Sequence, residues 1–194
     1  MNMTEPVPDT RHDAVALDRR DRVRALYAEA DTAIAALGPV CALSGRCCRF
    51  HEADHTLFLS ALEVDLLLAD APPPVRPLDS GATCPWQDAA GRCHARQGRP
   101  LGCRVYFCDP GYLPRAPDLS ETVIARLKTI ADETGFPWEY APLHHHLSQA
   151  VEDRRFPLLA GPHPPSAHAP QTPAPSPLSS PLWLTEARAD PFSS

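Results

Sequence analysis

The residues of this 194-residue chain most able to do chemistry are its seven cysteines, which all lie between positions 41 and 108. Their spacing is C-x5-C-C, then 35 residues, then C-x8-C-x9-C-x4-C. Clustered thiols in a reducing compartment are more often metal ligands or redox groups than a disulfide scaffold, and the count is odd. The sequence therefore predicts a metal site, and its pool of ligands is Cys41, Cys47, Cys48, Cys84, Cys93, Cys103 and Cys108.

The spacing of the cysteines does not select one metal. Structural zinc sites usually draw on C-x2-4-C pairs, and only Cys103 and Cys108 come close to that spacing. The common ferredoxin spacings do not match either. An iron–sulfur cluster and zinc therefore both remain open, at one site or at two. A second site would need a histidine, such as His51, His55 or His94, to complete its ligand set.

The adjacent cysteines Cys47 and Cys48 are expected to differ in role, because neighbouring side chains tend to diverge. One would face the metal, while the other packs or serves a second site. Guanidinium groups close to thiolates offset their charge and lower thiol pKa values. Of the arginines interleaved with the cysteines, Arg99 and Arg104 flank Cys103 and are predicted to support the metal ligands from outside the site.

Other candidate sites are weaker. Three consecutive histidines at 144–146 cannot all bind one ion, since neighbours on a helix point about 100° apart. We interpret them as part of a helix face. The sequence has no phosphate-binding loop and no dinucleotide fingerprint. No catalytic residue can be named, so enzymatic activity stays open and a non-enzymatic metal-binding protein is favoured.

The elements that must position the cysteines are mostly helical. Apolar residues at three- and four-residue steps predict a helix over about 12–37, which Gly38 and Pro39 end just before Cys41. Ser60 and Glu63 form a capping-box pattern that opens a helix over about 61–70.

Two further helices are predicted towards the end of the region. One begins near Asp118 and ends at Gly135, and the other runs from Pro142 to about Arg154. Between the helices, residues 56–59 and the stretch 84–93 are expected to be extended, the latter in two pieces around a turn. Residues 99–100 are expected to open one helical turn that leads to the cysteine at 103.

These elements define the predicted fold class. It is a mainly α, small single domain over 12–156, with an irregular cysteine-rich, metal-centred core. A flexible N-terminus, 1–11, precedes it. The last segment, 157–194, contains ten prolines and few large apolar residues, and is predicted to be a disordered proline-rich tail.

Charge and hydropathy exclude several partners. The chain carries 24 acidic against 18 basic residues, which is not the footprint of a nucleic-acid-binding protein. No apolar run approaches the ~18 residues of a membrane span, and no secretory signal is visible. We therefore expect a cytoplasmic protein that binds neither nucleic acid nor membrane. A protein partner cannot be predicted.

Four short motifs within 41–108 carry a resemblance. They are Cys41-x5-Cys47-Cys48-Arg49, Cys84-Pro85-Trp86, Gly91-Arg92-Cys93 and Arg99-Pro100-x-x-Cys103-Arg104-x-Tyr106. Together they resemble the YkgJ-type cysteine-cluster family, described as a zinc- or iron-chelating domain and often labelled as iron–sulfur-cluster-containing. The resemblance implies metal binding and leaves the activity open. Ser44 stands where family members often have a further cysteine, so the ligand set would be one thiol smaller.

The leading hypothesis is a metal-binding protein whose cysteine cluster holds an iron–sulfur cluster or zinc. An alternative is a thiol-based redox or metal-trafficking factor that handles metal transiently, for which a low-pKa thiol beside arginines is suited. A third, weaker hypothesis is a protein-modifying enzyme. It rests only on larger relatives of the resembled family that join this cysteine region to a methylase function.

Overall fold

The structure is a computed structural model that describes residues 10–78 and 81–156. The predicted tail, 157–194, and residues 1–9 of the predicted N-terminal segment lie outside these ranges. About half of the described residues are helical. The helices are α1 (Thr10–Leu37), α2 (Ala61–Asp70), α3 (Leu101–Val105), α4 (Ala116–Glu133) and α5 (Leu143–Glu152), with short 3-10 turns at Arg46–Cys48 and Leu113–Arg115.

The predicted helices are confirmed to within a few residues, including the short turn that carries Cys103. The helix α1 begins at Thr10, two residues earlier than predicted. The capping box is present as predicted: the Ser60 hydroxyl accepts a hydrogen bond from the Glu63 amide, and the Glu63 carboxylate accepts one from the Ser60 amide. Each side chain thereby satisfies a backbone donor that the first turn of α2 leaves without a helical partner.

A small antiparallel sheet joins distant parts of the described chain. Strand β1 (Phe58–Ser60) pairs with β2 (Tyr140–Pro142), and Leu59 lies opposite Ala141. The extended segment before α2 was predicted two residues too early, and β2 was not predicted. Three residues cannot show the alternation that marks a strand, and their partner lies about 80 residues away in sequence. Since α2 follows β1 and α5 follows β2, the sheet brings these two helices into contact.

Two apolar clusters form the core of the described residues. One packs α1 against α4, and α2 and α3 contribute to it through residues such as Leu66 and Leu101. The other lies between β1, α2 and α5 and includes Trp86, Cys48 and Cys84. Two of the candidate ligands are therefore packed into an apolar core. The residues that surround them are apolar side chains, and a metal-centred core remains a proposal.

A buried carboxylate links the helices. Glu63 is only 2% exposed and accepts hydrogen bonds from the Tyr27 hydroxyl (2.7 Å) and the Leu101 amide (2.9 Å). Its other oxygen accepts from the amide and hydroxyl of Ser60. Tyr27 belongs to α1 and Leu101 opens α3, so one side chain fixes the start of the helix that carries Cys103 to α1 and α2.

Replacement of Glu63 by alanine should therefore destabilise the chain strongly. It leaves four buried donors without an acceptor, and each such group costs about 1–3 kcal/mol. We expect a loss of about 3 kcal/mol or more in the free energy of unfolding, measured by urea denaturation. The matched control is Glu29→Ala, which removes an exposed carboxylate paired with Arg126. An equal shift of the midpoint in both variants would contradict this role of Glu63.

Candidate metal centre

The adjacent cysteines lie on the 3-10 turn Arg46–Cys48, and the chain enters this turn through Gly45. Gly45 has a φ of +70°, and a Cβ atom there would lie 2.5 Å from the backbone oxygen of Gly91. Only glycine fits this conformation and this close approach. The approach brings Cys47 and Cys48 against the loop that leads to Cys93.

A buried glutamine holds this approach in place. Gln87 is 2% exposed, and its side-chain amide donates to the backbone oxygens of Gly45 (2.8 Å) and Gly91 (3.2 Å). Its backbone forms an isolated antiparallel bridge with Cys93. Sequence reasoning missed Gln87. Its only sequence signal is a position within the cysteine-rich stretch, which is too weak to single out an amide.

The backbone also joins the middle cysteines directly. The Cys84 amide donates to the carbonyl oxygen of Cys48 at 2.8 Å. The turn from Asp88 to Gly91 follows, as predicted, and returns the chain to Cys93. Cys103 arrives separately on α3, which begins directly after Pro100.

Five cysteines line one cavity as a result. The sulfurs of Cys47 and Cys48 are 4.0 Å apart, and Cys84 and Cys93 lie close enough to Cys48 to raise the pKa of its thiol. Cys103 lies close enough that thiolate charge on three of the others influences its ionisation. We call this set the central thiols: Cys47, Cys48, Cys84, Cys93 and Cys103.

The expectation that one of Cys47 and Cys48 faces a metal while the other packs or serves a second site stays a prediction. Both line the same cavity, because the tight 3-10 turn and the approach of Gly45 aim both side chains inward. They still differ in environment. Cys48 is buried at 4% exposure, whereas Cys47 is half-buried.

The central thiols differ in acidity. The interaction with the Cys48 thiol lowers the pKa of Cys47 and of Cys93 to about 6, and the positive charge of Arg99 contributes to both shifts. The same contacts raise the pKa of Cys48. Burial raises the pKa of the Cys103 thiol. Cys47 and Cys93 are therefore the more acidic of these thiols, and Cys48 is less acidic than either.

The central thiols line a cavity of about 470 Å³. Its walls are mainly apolar side chains, among them Phe50, Leu67 and Trp86. The Trp86 indole is fixed by a hydrogen bond to the backbone oxygen of Pro72 at 2.7 Å. Three arginines also line the cavity: Arg92, Arg96 and Arg99. The positive charge nearby favours thiolates, whereas the apolar walls by themselves favour the neutral thiols.

The two outer cysteines behave differently. Cys41 is exposed and lines the cavity, whereas Cys108 is exposed and does not. A hydrogen bond of 3.0 Å from the Val40 amide to the Asp109 carboxylate ties their two segments together. The structure therefore brings six of the seven predicted ligands to one cavity and places Cys108 outside it.

The two arginines singled out by sequence have different tasks. The positive charge of Arg99 lowers the pKa of Cys47 and of Cys93, and its support of metal ligands stays a prediction. Arg104 does not face them. It is 6% exposed, lies 4.3 Å from the ring centre of Tyr27 and donates to the backbone oxygen of Arg99 at 2.8 Å. Arg104 supports the site indirectly, because this hydrogen bond holds the backbone of the loop that carries Arg99.

The candidate histidines are spread over several environments. His94 lines the thiol cavity and pairs with Asp88 at 3.0 Å. His51 and His55 line a separate cavity of about 400 Å³. In the histidine run, residues 144 and 145 are exposed, while His146 is buried against the backbone oxygen of Leu59 at 3.0 Å. This confirms the interpretation of the run as part of a helix face.

Within the two described ranges, no set of three or more His, Cys, Asp or Glu side chains is arranged so that it could hold a metal ion as it stands. All five central thiols are free, and the sulfurs of Cys47 and Cys48 lie 4.0 Å apart. Their donor chemistry nevertheless fits a soft metal, since every side chain that meets there offers sulfur. A bound metal would replace the S–H···S contact between Cys47 and Cys48.

Fold and site together define a small, mainly helical protein with a thiol-lined cavity. No family model matches the chain, and no curated protein and no solved structure is similar to it. The resemblance to the YkgJ-type family stays a prediction. In the part of the chain that the structure describes, no helix has the length and apolar character needed to cross a membrane.

The acidity of the central thiols gives a measurable expectation. In the metal-free chain, Cys47 and Cys93 should react with iodoacetamide at pH 7 faster than thiols of the urea-unfolded chain, whose pKa lies near 8.5. Their reaction rate should rise with pH through a midpoint near 6. Peptide mapping after brief labelling at several pH values checks this. A midpoint near 8.5 for both thiols would contradict the hydrogen-bonded arrangement.

Proposed function

We propose that this chain is a metal-binding protein and that its central thiols provide the ligands. The observation that carries the proposal is the convergence of five cysteines, from three separate parts of the chain, on one apolar cavity. Thiolates select zinc, copper(I) and iron–sulfur clusters over hard cations. Arg99 is positioned to offset the negative charge that four thiolates leave on a divalent ion.

Of an iron–sulfur cluster and zinc, we favour the cluster, because the cavity of about 470 Å³ has room for a group of several atoms beside the thiols. When bound, a cluster would supply one-electron transfer or sensing, and zinc would supply structural stabilisation. The protein's own contribution is the apolar wall, which limits water, and the positive charge of Arg99.

The experiment is purification of the full chain without oxygen and without chelators, followed by metal analysis and an absorption spectrum. We expect iron with acid-labile sulfide and visible absorption that bleaches on exposure to air. One equivalent of zinc with no visible absorption would preserve metal binding and overturn the cluster. A chain that holds no metal, even after reconstitution with iron and sulfide or with zinc, would overturn the proposal.

A thiol-based redox or metal-trafficking factor is the second candidate function. The observation that favours it is the pairing of Cys48 with two more acidic thiols, since a thiolate beside a thiol is the arrangement that exchanges disulfides or transfers a soft metal. The rate of metal loss separates the two functions. Transfer of the metal to a competing chelator within minutes favours trafficking, and retention over hours favours a resident centre.

A further inference from the structure

A second concave surface adjoins the thiol cavity. It has a volume of about 600 Å³ and is formed by parts of α1 and α2 and by the loop that leads to α3. We call it the arginine groove. Its charged lining consists of Arg24, Arg96, Arg99, Arg104, Asp31 and Asp70. Arg96 and Arg99 line both the groove and the thiol cavity, so the two spaces share one wall.

Both carboxylates of the groove are already engaged. Asp70 receives two hydrogen bonds from Arg24, at 2.9 and 2.5 Å. Asp31 receives one from Arg104 at 2.5 Å. Each aspartate therefore neutralises one arginine. Two positive charges remain in the groove without a carboxylate.

These two charges belong to Arg96 and Arg99. Among the described residues, neither forms an ion pair, whereas most arginines of α1 are paired with carboxylates. Arg99 uses only its Nε atom, in a hydrogen bond of 3.2 Å to the backbone oxygen of Arg96. The outer N–H groups of its guanidinium thus stay available. An acceptor for them must come from outside the described chain or from solvent.

The loop that carries both arginines is held rigidly. The buried Arg104 donates to the backbone oxygens of Gln97 (2.5 Å) and Arg99 (2.8 Å) and is itself anchored by Asp31. Gly98 packs so closely on α2 that a Cβ atom there would lie 3.3 Å from the Cβ of Asp70. A loop fixed in this way loses little conformational entropy when a ligand binds.

We propose that the arginine groove binds an oxyanion, a phosphate or carboxylate group of a small ligand, through Arg96 and Arg99. Guanidinium groups recognise both anions through parallel N–H···O bonds. The volume of the groove lies within the range of small-molecule sites, about 300–1,000 Å³. The inference does not need the metal. If the proposed centre exists, the ligand lies beside it, on the far side of Arg99.

Titration calorimetry of the metal-free full chain at low ionic strength tests this. Inorganic phosphate and succinate, a dicarboxylate, are titrated separately. We expect one saturable site per chain for at least one of them. Binding of phosphate would indicate a phosphate group on the ligand, and binding of succinate would indicate a carboxylate group. The double variant R96Q/R99Q should weaken binding at least tenfold. The control R115Q removes an exposed arginine outside the groove and should leave the affinity unchanged.

The single variant R96Q guards against a folding defect, because the Arg96 side chain is exposed and makes no side-chain hydrogen bond within the described residues. It should weaken binding several-fold with an unchanged circular dichroism spectrum. No saturable heat with either anion, or an equal loss in R115Q, would overturn the inference. A chain that binds the anion but never binds metal would overturn only the proposed function.

Discussion

Replacement of Cys48 by serine should abolish metal binding. Its sulfur lies 4.0 Å from that of Cys47, its pKa responds to Cys84 and Cys93 as well, and it is buried within the core. Serine keeps the size of the side chain but offers a hard hydroxyl in place of a soft thiolate. We expect less than a tenth of the metal content of the unmodified chain, measured by elemental analysis after anaerobic purification.

The matched control is Cys108→Ser. This cysteine is exposed and does not line the cavity, so its replacement should leave the metal content within error of the unmodified chain. The two variants have the same chemical change in different places. Full metal in Cys48→Ser, or an equal loss in Cys108→Ser, would show that the central thiols are not the ligands.

Metal should also stabilise the fold. A ligand that binds only the folded chain adds about 4 kcal/mol to the free energy of unfolding at a thousandfold excess over its Kd. For a domain of this size that corresponds to a rise in Tm of roughly 10 °C. Differential scanning calorimetry of anaerobically prepared chain, before and after metal removal by a chelator, measures the shift.

The apolar clusters should keep the chain folded even without metal. Zinc fingers lack such a core and unfold when their metal is removed. Here the helices α1 and α4 pack through residues such as Leu127, which has no exposed surface, so the metal-free chain should still unfold cooperatively. Equal melting temperatures with and without metal would contradict the coupling of binding to folding. The variant Cys48→Ser serves as the control, since its Tm should not respond to metal.

Much of the helical framework could be predicted from local sequence. The capping pair Ser60 and Glu63 and the apolar periodicity of α1 and α4 are short-range signals, and the structure contains all of them. The second role of Glu63 could not be predicted. Its bonds to Tyr27 and Leu101 join residues 36 and 38 positions away, and no local pattern encodes such contacts.

In the candidate site, too, local sequence predicts some features, and long-range contacts decide the others. Residue type alone identified the seven cysteines as a group. Which of them meet depends on the approach of Gly45 to Gly91 and on the hydrogen bonds of Gln87, which are tertiary features. For this reason the sequence could not separate Cys108 from the central thiols. It predicted that Arg104 supports the ligands from outside the site, but not that Arg104 does so by holding the backbone of the loop that carries Arg99.

X-ray absorption spectroscopy at the edge of the bound metal shows whether the central thiols hold it. We expect a first shell of sulfur only, with metal–sulfur distances near 2.3 Å and, for a cluster, additional scattering from a neighbouring iron. The same spectrum should be obtained from Cys108→Ser. A first shell of nitrogen and oxygen would contradict the assignment of the central thiols as ligands, because it would place the metal at histidines or carboxylates.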